Sequence, residues 1–336
     1  MDIHLDIICL GWTERCKSIL PPENGAPPLQ PSQRLPGPNE PCWCQSGRKY
    51  KHCHRPIDNA PVERKYAEAQ RVYATNWRVT AELQHGRGDY RWMARQLGSH
   101  GIRRVLDVGF GSGHGILSML EELGPGLRIV GIDENPDCLT TAQNTLQTAG
   151  VDCPSPMRRV TTLPYADGFR SAAVPIEGAL PEPVALLQAD VCSDLYLEKA
   201  LRADGPFDAV TVWLTGVHMY RQYNVVVTSA GIKTDGSHRL FVQNAVYELA
   251  DKVLRPGGVL QVVDRGEAPA TETMKQDIIR AHREQAEPTT LDFRAIEYTP
   301  WTPTETRRVP MGLTLGTSGM APTQDMAIVS IISVKT

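Results

Sequence analysis

The sequence predicts an α/β protein whose largest part is a doubly wound, mostly parallel sheet of seven strands, preceded by a small Cys/His module. After residue 103, short β-branched or apolar runs alternate with helical patterns, which is typical of a parallel sheet with helices on both faces. Two apolar segments, 296–298 and 326–334, follow without a convincing helix between them, so we expect an antiparallel pair that closes the sheet. The 336 residues are 41% hydrophobic and 22% charged, which suits a folded chain with a sizeable core.

The parallel strands are predicted from five short apolar runs, at 104–108, 128–132, 184–188, 207–213 and 259–264. Helical periodicity predicts the intervening helices, at 114–123, 136–149, 194–203 and 238–254. The stretch 162–183 has neither pattern and is interpreted as an insertion. We therefore expect the sheet domain to occupy residues 101–336, without an internal repeat.

The front of the chain predicts four short units. Residues 1–20 form an N-terminal arm, and 21–41 form an extended linker because eight of these 21 positions are proline. A compact Cys/His cluster occupies 42–55. Residues 60–100 read as a helical extension, with helices at 62–84 and 89–98.

Composition and charge narrow the classes of partner. The N-terminus carries acids where a signal peptide needs a basic flank, and no apolar stretch reaches the length of a membrane helix, so we expect a cytoplasmic protein without a membrane partner. Residues 1–104 hold 16 basic and 10 acidic residues, an excess that admits RNA or an acidic protein surface as a partner. Solvated helix faces explain the same excess, and the overall pI near 6.3 favours that interpretation over nucleic-acid binding.

A cluster of thiols and imidazoles follows the proline-rich segment. Its candidate metal ligands are Cys42, Cys44, Cys53 and His54. Three sulfur donors and one nitrogen donor form a set that suits tetrahedral Zn²⁺, and such a small module would gain its folding energy from the metal. The spacing is tighter than the usual two-to-four-residue spacer, so a Cys/His loop without metal stays open as the alternative.

The run from Asn39 to His54 resembles the SEC-C zinc motif, which is found at the C-terminus of the SecA translocase and in many bacterial proteins. The family's pattern has Pro and Gly where Trp43 and Gln45 stand here, but all four ligand positions match. The resemblance implies a structural zinc ion held by those four residues and a module that contacts another protein. His52 is interpreted as a solvated neighbour of the site.

A glycine-rich bend follows the first predicted strand, with the pattern Asp107-x-Gly109-x-Gly111-x-Gly113. Glycine allows a positive φ and a close approach of backbone to a ligand, and the helix that starts here offers free N–H groups. The six-residue spacing of the dinucleotide fingerprint and the Gly-Lys-Ser/Thr of a Walker A loop are both absent. The bend by itself therefore does not identify the ligand.

Acids at the ends of later strands sharpen the prediction. The second strand ends in Asp133-Glu134, and the third is followed by Asp190-Val191. An acid at the end of the second strand is placed to bind the two hydroxyls of a ribose. This succession resembles the class I S-adenosylmethionine-dependent methyltransferases from about residue 100 to the end of the chain, and implies their Rossmann-like fold and S-adenosyl-L-methionine as cofactor.

Carried over by position, the resemblance assigns the methionine half of the cofactor to the glycine bend. Gly109, Gly111 and Gly113 would pass beneath it, and Asp107 would hold its amino group directly or through water.

The nucleoside half is assigned in the same way to the next strand ends. Asp133 would hold the ribose and Asp190 the adenine amino group, while Glu134 and Val191 would flank the ring; Trp213 is counted with these cofactor residues. Taken singly, Asp133 is also explained as a turn residue at a strand end, and Asp190 as a helix cap.

The acceptor is expected to meet the loop after the fourth strand, because ligands of such sheets bind at the carboxyl ends of the strands. His218 is the candidate base, with Tyr220 as a second catalytic candidate, although a histidine in a polar loop also serves as a plain hydrogen-bonding residue. Arg221 and Tyr223 are candidates to orient the substrate or to pack against the insertion. The Asn/Asp-Pro-Pro-aromatic signature of DNA adenine methylases is absent from this loop.

Three functions are compatible with these features. The leading hypothesis is a methyltransferase that acts on a protein, a small molecule or RNA, with a zinc motif that docks it to a protein partner. The alternative is a cofactor-binding or zinc-knuckle interaction module without methyl transfer. An NAD-dependent oxidoreductase is disfavoured because the dinucleotide fingerprint fails.

Overall fold

The computed structural model describes residues 36–42, 48–53, 55–154, 158, 160–165, 168–216, 221–302 and 326–336. The strands in these ranges are β1 Arg104–Val108, β2 Arg128–Asp133, β3 Thr161–Tyr165, β4 Gly168–Ala172, β5 Val184–Gln188, β6 Phe207–Trp213, β7 Leu254–Glu267, β8 Leu291–Pro300 and β9 Met326–Lys335. The helices are α1 Arg55–Asp58, α2 Val62–Arg87, α3 Asp89–Arg95, α4 His114–Leu123, α5 Pro136–Thr148, α6 Leu197–Asp204, α7 Val225–Ser229, α8 Asp235–Val253 and α9 Glu272–Ala286. None of these helices has both the length and the apolar character needed to cross a bilayer.

Seven strands form the main sheet in the order β5-β2-β1-β6-β7-β9-β8. The first five of these strands run parallel, whereas β9 is antiparallel to both β7 and β8. This arrangement confirms the predicted doubly wound, mostly parallel sheet of seven strands and its closing antiparallel pair. The order reverses between β1 and β6, which is where sheets of this kind bind ligands.

Alternate residues of the central strands supply two different cores. Leu106, Val130 and Val210 belong to the core beneath α6 and α8. Val105 and Ile129 belong to the core beneath α2, α4 and α5. Side chains alternate across a strand, so strands that are buried on both faces show a continuous apolar run rather than alternation. That burial is why the short apolar runs of the sequence predicted these strands.

The observed bounds differ from the predicted ones at a few places. Helix α6 begins at Leu197 rather than at residue 194, because Asp190 and Asp194 accept hydrogen bonds from backbone N–H groups of the turn before it. Helix α9 was not predicted, since its buried residues are limited to Ile279 and Ala286 and its apolar pattern is correspondingly weak. The predicted insertion contains a two-stranded hairpin of β3 and β4.

Helix α2 carries the largest part of the predicted extension. Its buried stripe includes Tyr66, Ala69, Trp77 and Ala81, spaced three, four or eight residues apart as one face of a helix requires. The helix ends at Gly88, whose φ of +85° is the left-handed conformation that closes helices. Trp77 and Ala81 pack into the same core as the central strands, so α2 is part of the sheet domain's interior.

Candidate functional site

A cavity of about 710 Å³, measured to its open mouth, lies where the carboxyl ends of β1, β2, β5 and β6 meet. Seven of the predicted site residues line it: Gly109, Gly111, Asp133, Glu134, Asp190, Val191 and Arg221. Asp107, Gly113, Trp213 and Tyr223 are not among its lining residues.

The glycine bend forms the floor of this cavity. Gly109, Gly111 and Gly113 all have φ between +57° and +82°, a conformation that other residues rarely adopt. A Cβ at Gly109 would meet no atom within 4 Å, whereas one at Gly111 would collide with the indole of Trp77. Gly113 instead lies 3.1 Å, measured from an ideal Cβ, from Ala142 of α5. Gly109 therefore leaves open space for a ligand, and Gly113 serves the packing of two helices.

Asp133 ties the glycine bend to the end of β2. Its Oδ2 accepts a hydrogen bond from Gly111 N at 3.0 Å, and its Oδ1 accepts one from Asn135 N at 2.9 Å. Burial raises the pKa of Asp133 to about 7, although the two backbone donors oppose the shift. Both oxygens retain a second lone pair for a ligand hydroxyl.

Asp107 lies beneath the bend and is 3% exposed. Its Oδ1 accepts a hydrogen bond from Thr211 Oγ1 at 2.7 Å across the β1–β6 pair. Burial raises the pKa of Asp107 to about 7, and the Thr211 hydroxyl opposes that rise. No described cation pairs with this carboxylate.

Arg221 has a different environment from the one expected of a substrate residue. Its side chain is 2% exposed, and its guanidinium lies 2.7 Å from Glu134 Oε2 and 2.8 Å from Asp190 Oδ2. Its Nε also donates to His238 Nε2 at 3.1 Å. Burial lowers the pKa of Arg221, but Asp190 and Glu134 outweigh burial and the net shift is upward. Arg221 therefore lies against two acids assigned to the nucleoside.

Asp190 has two further hydrogen bonds. It accepts from Cys192 N at 2.9 Å and from Ser193 Oγ at 2.6 Å, which fix the turn that follows β5. Asp190 therefore fixes this turn and lies on the cavity wall, whereas it does not cap α6, whose N-cap is Tyr196.

Two aromatic residues of α2 cover the cavity, and the sequence analysis did not count them with the site. Tyr73 and Trp77 both line it, with ring centroids 6.4 Å apart and ring planes within 7° of parallel. A Cβ at Gly216, in the loop after β6, would collide with the Tyr73 hydroxyl. The signal available in the sequence was their four-residue spacing, which places both residues on one face of the helix predicted at 62–84.

The remaining predicted residues of the sheet domain lie beside the cavity. Trp213 Nε1 donates to Gln261 Oε1 at 3.0 Å, and the indole packs against Gly115 and Tyr90. Tyr223 packs with Tyr66 and Phe169, and its carbonyl oxygen contacts Gly168, so this residue lies against the hairpin. The catalytic candidates His218 and Tyr220 lie outside the described residues.

The Cys/His module is described in part. Cys42 is buried and Cys53 half-buried, whereas Cys44 and His54 lie outside the described ranges. Cys42 N donates to Arg48 O at 2.9 Å, and Cys53 N donates to Tyr50 O at 3.0 Å at the end of the short 3₁₀ turn Tyr50–His52. His52 is exposed, as expected of a solvated neighbour. Among the described residues no group of three or more His, Cys, Asp or Glu could hold a metal ion, and the zinc assignment stays a prediction.

Comparison with known proteins matches the SEC-C motif at residues 39–56. The SecA translocase subunit of Pseudomonas putida is 58% identical over 31 residues, which span 9% of this chain and 3% of that protein. Solved structures similar to this chain include TrmN from Thermus thermophilus, at 13% identity, 73% of this chain, 48% of that chain and a TM-score of 0.39. They also include cofactor-bound Rv0187 from MTB, at 15% identity, 90% of this chain, 99% of that chain and a TM-score of 0.39.

An O-methyltransferase from Bacillus cereus in complex with SAH is a further similar structure, at 13% identity, 73% of this chain, 80% of that chain and a TM-score of 0.36. Strand order and strand direction, rather than these distant alignments, define the fold of the chain.

Proposed function

We propose that this protein is an S-adenosyl-L-methionine-dependent methyltransferase whose acceptor is a protein, a small molecule or RNA. The observation that carries the proposal is the hydrogen bond from Gly111 N to Asp133 Oδ2 at 3.0 Å, at the point where β1 and β2 end. This bond places the glycine bend, which lacks side chains, beside a carboxylate at the edge of one cavity. Binding of a nucleoside that carries a sulfonium group would need that arrangement.

The residues around the cavity fit such a cofactor. Gly109 leaves open space where a Cβ would otherwise stand, and Asp133 has lone pairs left for ribose hydroxyls. Asp190 and Val191 line the part assigned to adenine. Asp107, which faces no described cation, would hold the amino group directly or through water. When bound, the cofactor supplies a methyl group on an already positive sulfur, so the transfer needs no metal.

The protein's own contribution is positioning and exclusion of water. Trp77 covers Gly111 of the glycine bend and Tyr73 lies against Gly216, so the two rings shield the transfer from solvent. Holding acceptor and methyl group in line is mainly an entropic contribution to the rate. In this proposal His218 and Tyr220 remain the catalytic candidates, and Tyr223 orients the loop through its contact with the hairpin.

We also propose that Cys42, Cys44, Cys53 and His54 bind one structural Zn²⁺ and that the resulting knuckle docks a protein partner. The three thiols and one imidazole suit this ion, and the match to the SEC-C motif supports the assignment. The backbone N–H groups of Cys42 and Cys53 donate hydrogen bonds to carbonyl groups within the knuckle, near its two ends. We also propose the segment boundaries 1–20, 21–41, 42–55, 60–100 and 101–336, with the helical extension at 60–100 packed into the core of the sheet domain.

The second candidate is a cofactor-binding or zinc-knuckle interaction module without methyl transfer. The observation that favours it over the enzyme is that Arg221 pairs within the chain with Glu134 and Asp190, two acids assigned to the nucleoside.

Calorimetry with S-adenosylhomocysteine, followed by transfer of labelled methyl groups to cell extract, separates the two candidates. We expect tight binding together with labelled product. In Asp133→Ala, loss of a charge-assisted hydrogen bond should weaken binding by about tenfold or more. Asp137→Ala, four residues away on α5, is the matched control and should bind normally. Equal affinity in wild type and Asp133→Ala contradicts the ribose assignment, and binding without any labelled product favours the second candidate.

A further inference from the structure

One buried guanidinium joins four elements at the part of the cavity assigned to adenine, which we call the base end. Arg221 lies in the loop after β6, where the methyl acceptor was expected, and its side chain is 2% exposed. It contacts Tyr66 of α2, Glu134 after β2, Asp190 after β5 and His238 of α8. Except for Tyr66, these residues line the cavity together with Arg221. The wall of the base end is therefore built around this cation.

Arg221 determines which oxygen of Asp190 is left for a ligand. A carboxylate offers about four lone-pair positions, shared equally by its two oxygens. Asp190 Oδ2 accepts from Ser193 Oγ at 2.6 Å and from Arg221 Nη2 at 2.8 Å, and these two bonds fill it. Asp190 Oδ1 accepts from Cys192 N at 2.9 Å and keeps one position. A ligand at the base end can therefore donate a hydrogen bond to Oδ1 but not to Oδ2.

Arg221 also sets the charge of this wall. Its guanidinium lies 2.7 Å from Glu134 Oε2 and 2.8 Å from Asp190 Oδ2, so one cation serves two carboxylates. An opposite charge at this range favours the ionised form of an acid, whereas two carboxylates without a cation favour protonation of one of them. An ionised carboxylate only accepts hydrogen bonds, but a protonated one also donates. Arg221 therefore keeps the wall in its accepting form.

An accepting wall distinguishes between nucleobases. An exocyclic amino group can donate to Asp190 Oδ1, whereas a keto oxygen at the same place would face another oxygen that only accepts. Sites built around a hydrogen bond reject an analogue that lacks the matching group. The ribose acid is independent of this effect, because Asp133 is held by Gly111 N and Asn135 N and not by Arg221. Two nucleosides with the same sugar therefore differ only in their contact with the base end.

We propose that Arg221 is a positioning residue that sets the base selectivity of the cavity, by holding Asp190 so that one ionised oxygen remains for an amino-bearing base. The proposal rests on the proposed function, because it takes the cavity as the nucleoside site. It gives the residue a role at the cofactor instead of the one at the methyl acceptor that the sequence predicted.

The test compares two nucleosides that differ in the base. Calorimetry measures S-adenosylhomocysteine and S-inosylhomocysteine, in which a keto oxygen replaces the amino group. Wild type should prefer S-adenosylhomocysteine at least tenfold. In Arg221→Gln the preference should fall below threefold, because the wall loses its cation and Asp190 its fixed orientation. Arg221→Lys keeps the charge and should retain a preference above threefold.

A second buried ion pair provides the matched control. Arg158 Nη1 lies 2.6 Å from Asp194 Oδ2, and the two side chains are 1% and 2% exposed. Neither residue lines the cavity. Arg158→Gln therefore removes a buried cation without touching the base end, and it should keep the tenfold preference even where both affinities fall.

A variant of Asp190 tests the orientation while Arg221 stays in place. In Asp190→Asn, the charge-assisted bond from Arg221 is stronger than the neutral bond from Cys192 N. The amide oxygen should therefore take the place of Oδ2 and the amide nitrogen that of Oδ1. Because this nitrogen donates, the preference should invert, with S-inosylhomocysteine bound at least threefold more tightly than S-adenosylhomocysteine.

The outcomes separate this proposal from the proposed function. The positioning role is wrong if wild type binds both nucleosides equally, or if Arg221→Gln lowers both affinities by the same factor; the proposed function stands in either case. Where thermal unfolding shows that Arg221→Gln does not fold, Asp190→Asn decides. Inversion then supports the role of Arg221, and a retained preference for S-adenosylhomocysteine overturns it. If wild type binds neither nucleoside, the proposed function and the base selectivity both fail.

Discussion

The buried carboxylate of Asp107 links the stability of this protein to pH. Its side chain is 3% exposed and accepts a hydrogen bond from Thr211, and burial raises its pKa to about 7. In the unfolded chain an aspartate has a pKa of about 3.9. Between these two values the folded protein holds a proton that the unfolded chain has lost, so the free energy of unfolding falls as pH rises through this window.

The magnitude follows from the difference between the two pKa values. Each unit corresponds to about 1.4 kcal/mol, so the approximately three units predict a contribution of about 4 kcal/mol, lost progressively between about pH 4 and pH 7. In Asp107→Asn the side chain no longer titrates, yet its carbonyl oxygen can still accept from Thr211. As pH rises, the free energy of unfolding of the variant should therefore increase relative to that of wild type. This holds even where the unsatisfied amide lowers the variant's absolute stability by about 1–3 kcal/mol.

Urea denaturation at pH 5, 6, 7 and 8 measures the free energy of unfolding of both proteins. The difference between variant and wild type isolates the titration of Asp107, because the titration of other groups cancels. The exposed Asp277→Asn is the matched control. A difference that stays constant from pH 5 to pH 8 refutes the reasoning.

The same residue predicts a proton linked to ligand binding. If Asp107 holds the ammonium group of the cofactor, binding favours its ionised form. At pH 7 the free protein is then about half protonated at this site and should release up to about half a proton on binding S-adenosylhomocysteine. Calorimetry in buffers of different ionisation enthalpy measures the release, and none at pH 7 would contradict the assignment.

Three further predictions concern the knuckle, the glycine bend and the buried arginine. Cys42→Ser should lose zinc, by elemental mass spectrometry, while keeping nucleoside affinity; loss of both would make the knuckle part of the cofactor fold. Gly111→Ala should lower urea stability and nucleoside affinity more than Gly150→Ala, because both have positive φ but only the Gly111 variant strikes an indole; equal effects would contradict that contact. Arg221→Gln should lower stability by about 3–5 kcal/mol because Asp190 and Glu134 lose their cation, and an unchanged urea midpoint would show that the pairing is not maintained.

The sequence by itself determined the sheet and the order of its acids. The bounds of β1, β5 and β6 agree with the predicted runs because each strand is buried on both faces, and that burial is encoded locally as an apolar run. The positions of Gly109, Asp133 and Asp190 on one cavity were predictable for a similar reason, since parallel strands bring their carboxyl ends to one edge.

Only the tertiary structure decided which side chains meet at that edge. Arg221 lies against Glu134 and Asp190, although 87 and 31 positions separate them in the chain, and Trp77 reaches Gly111 from a helix outside the predicted sheet domain. Arg265 and Trp301 likewise adjoin through the antiparallel end of the sheet. Periodicity records which face of an element is buried, but the identity of the neighbour depends on how distant elements pack, and single-sequence patterns carry no record of that.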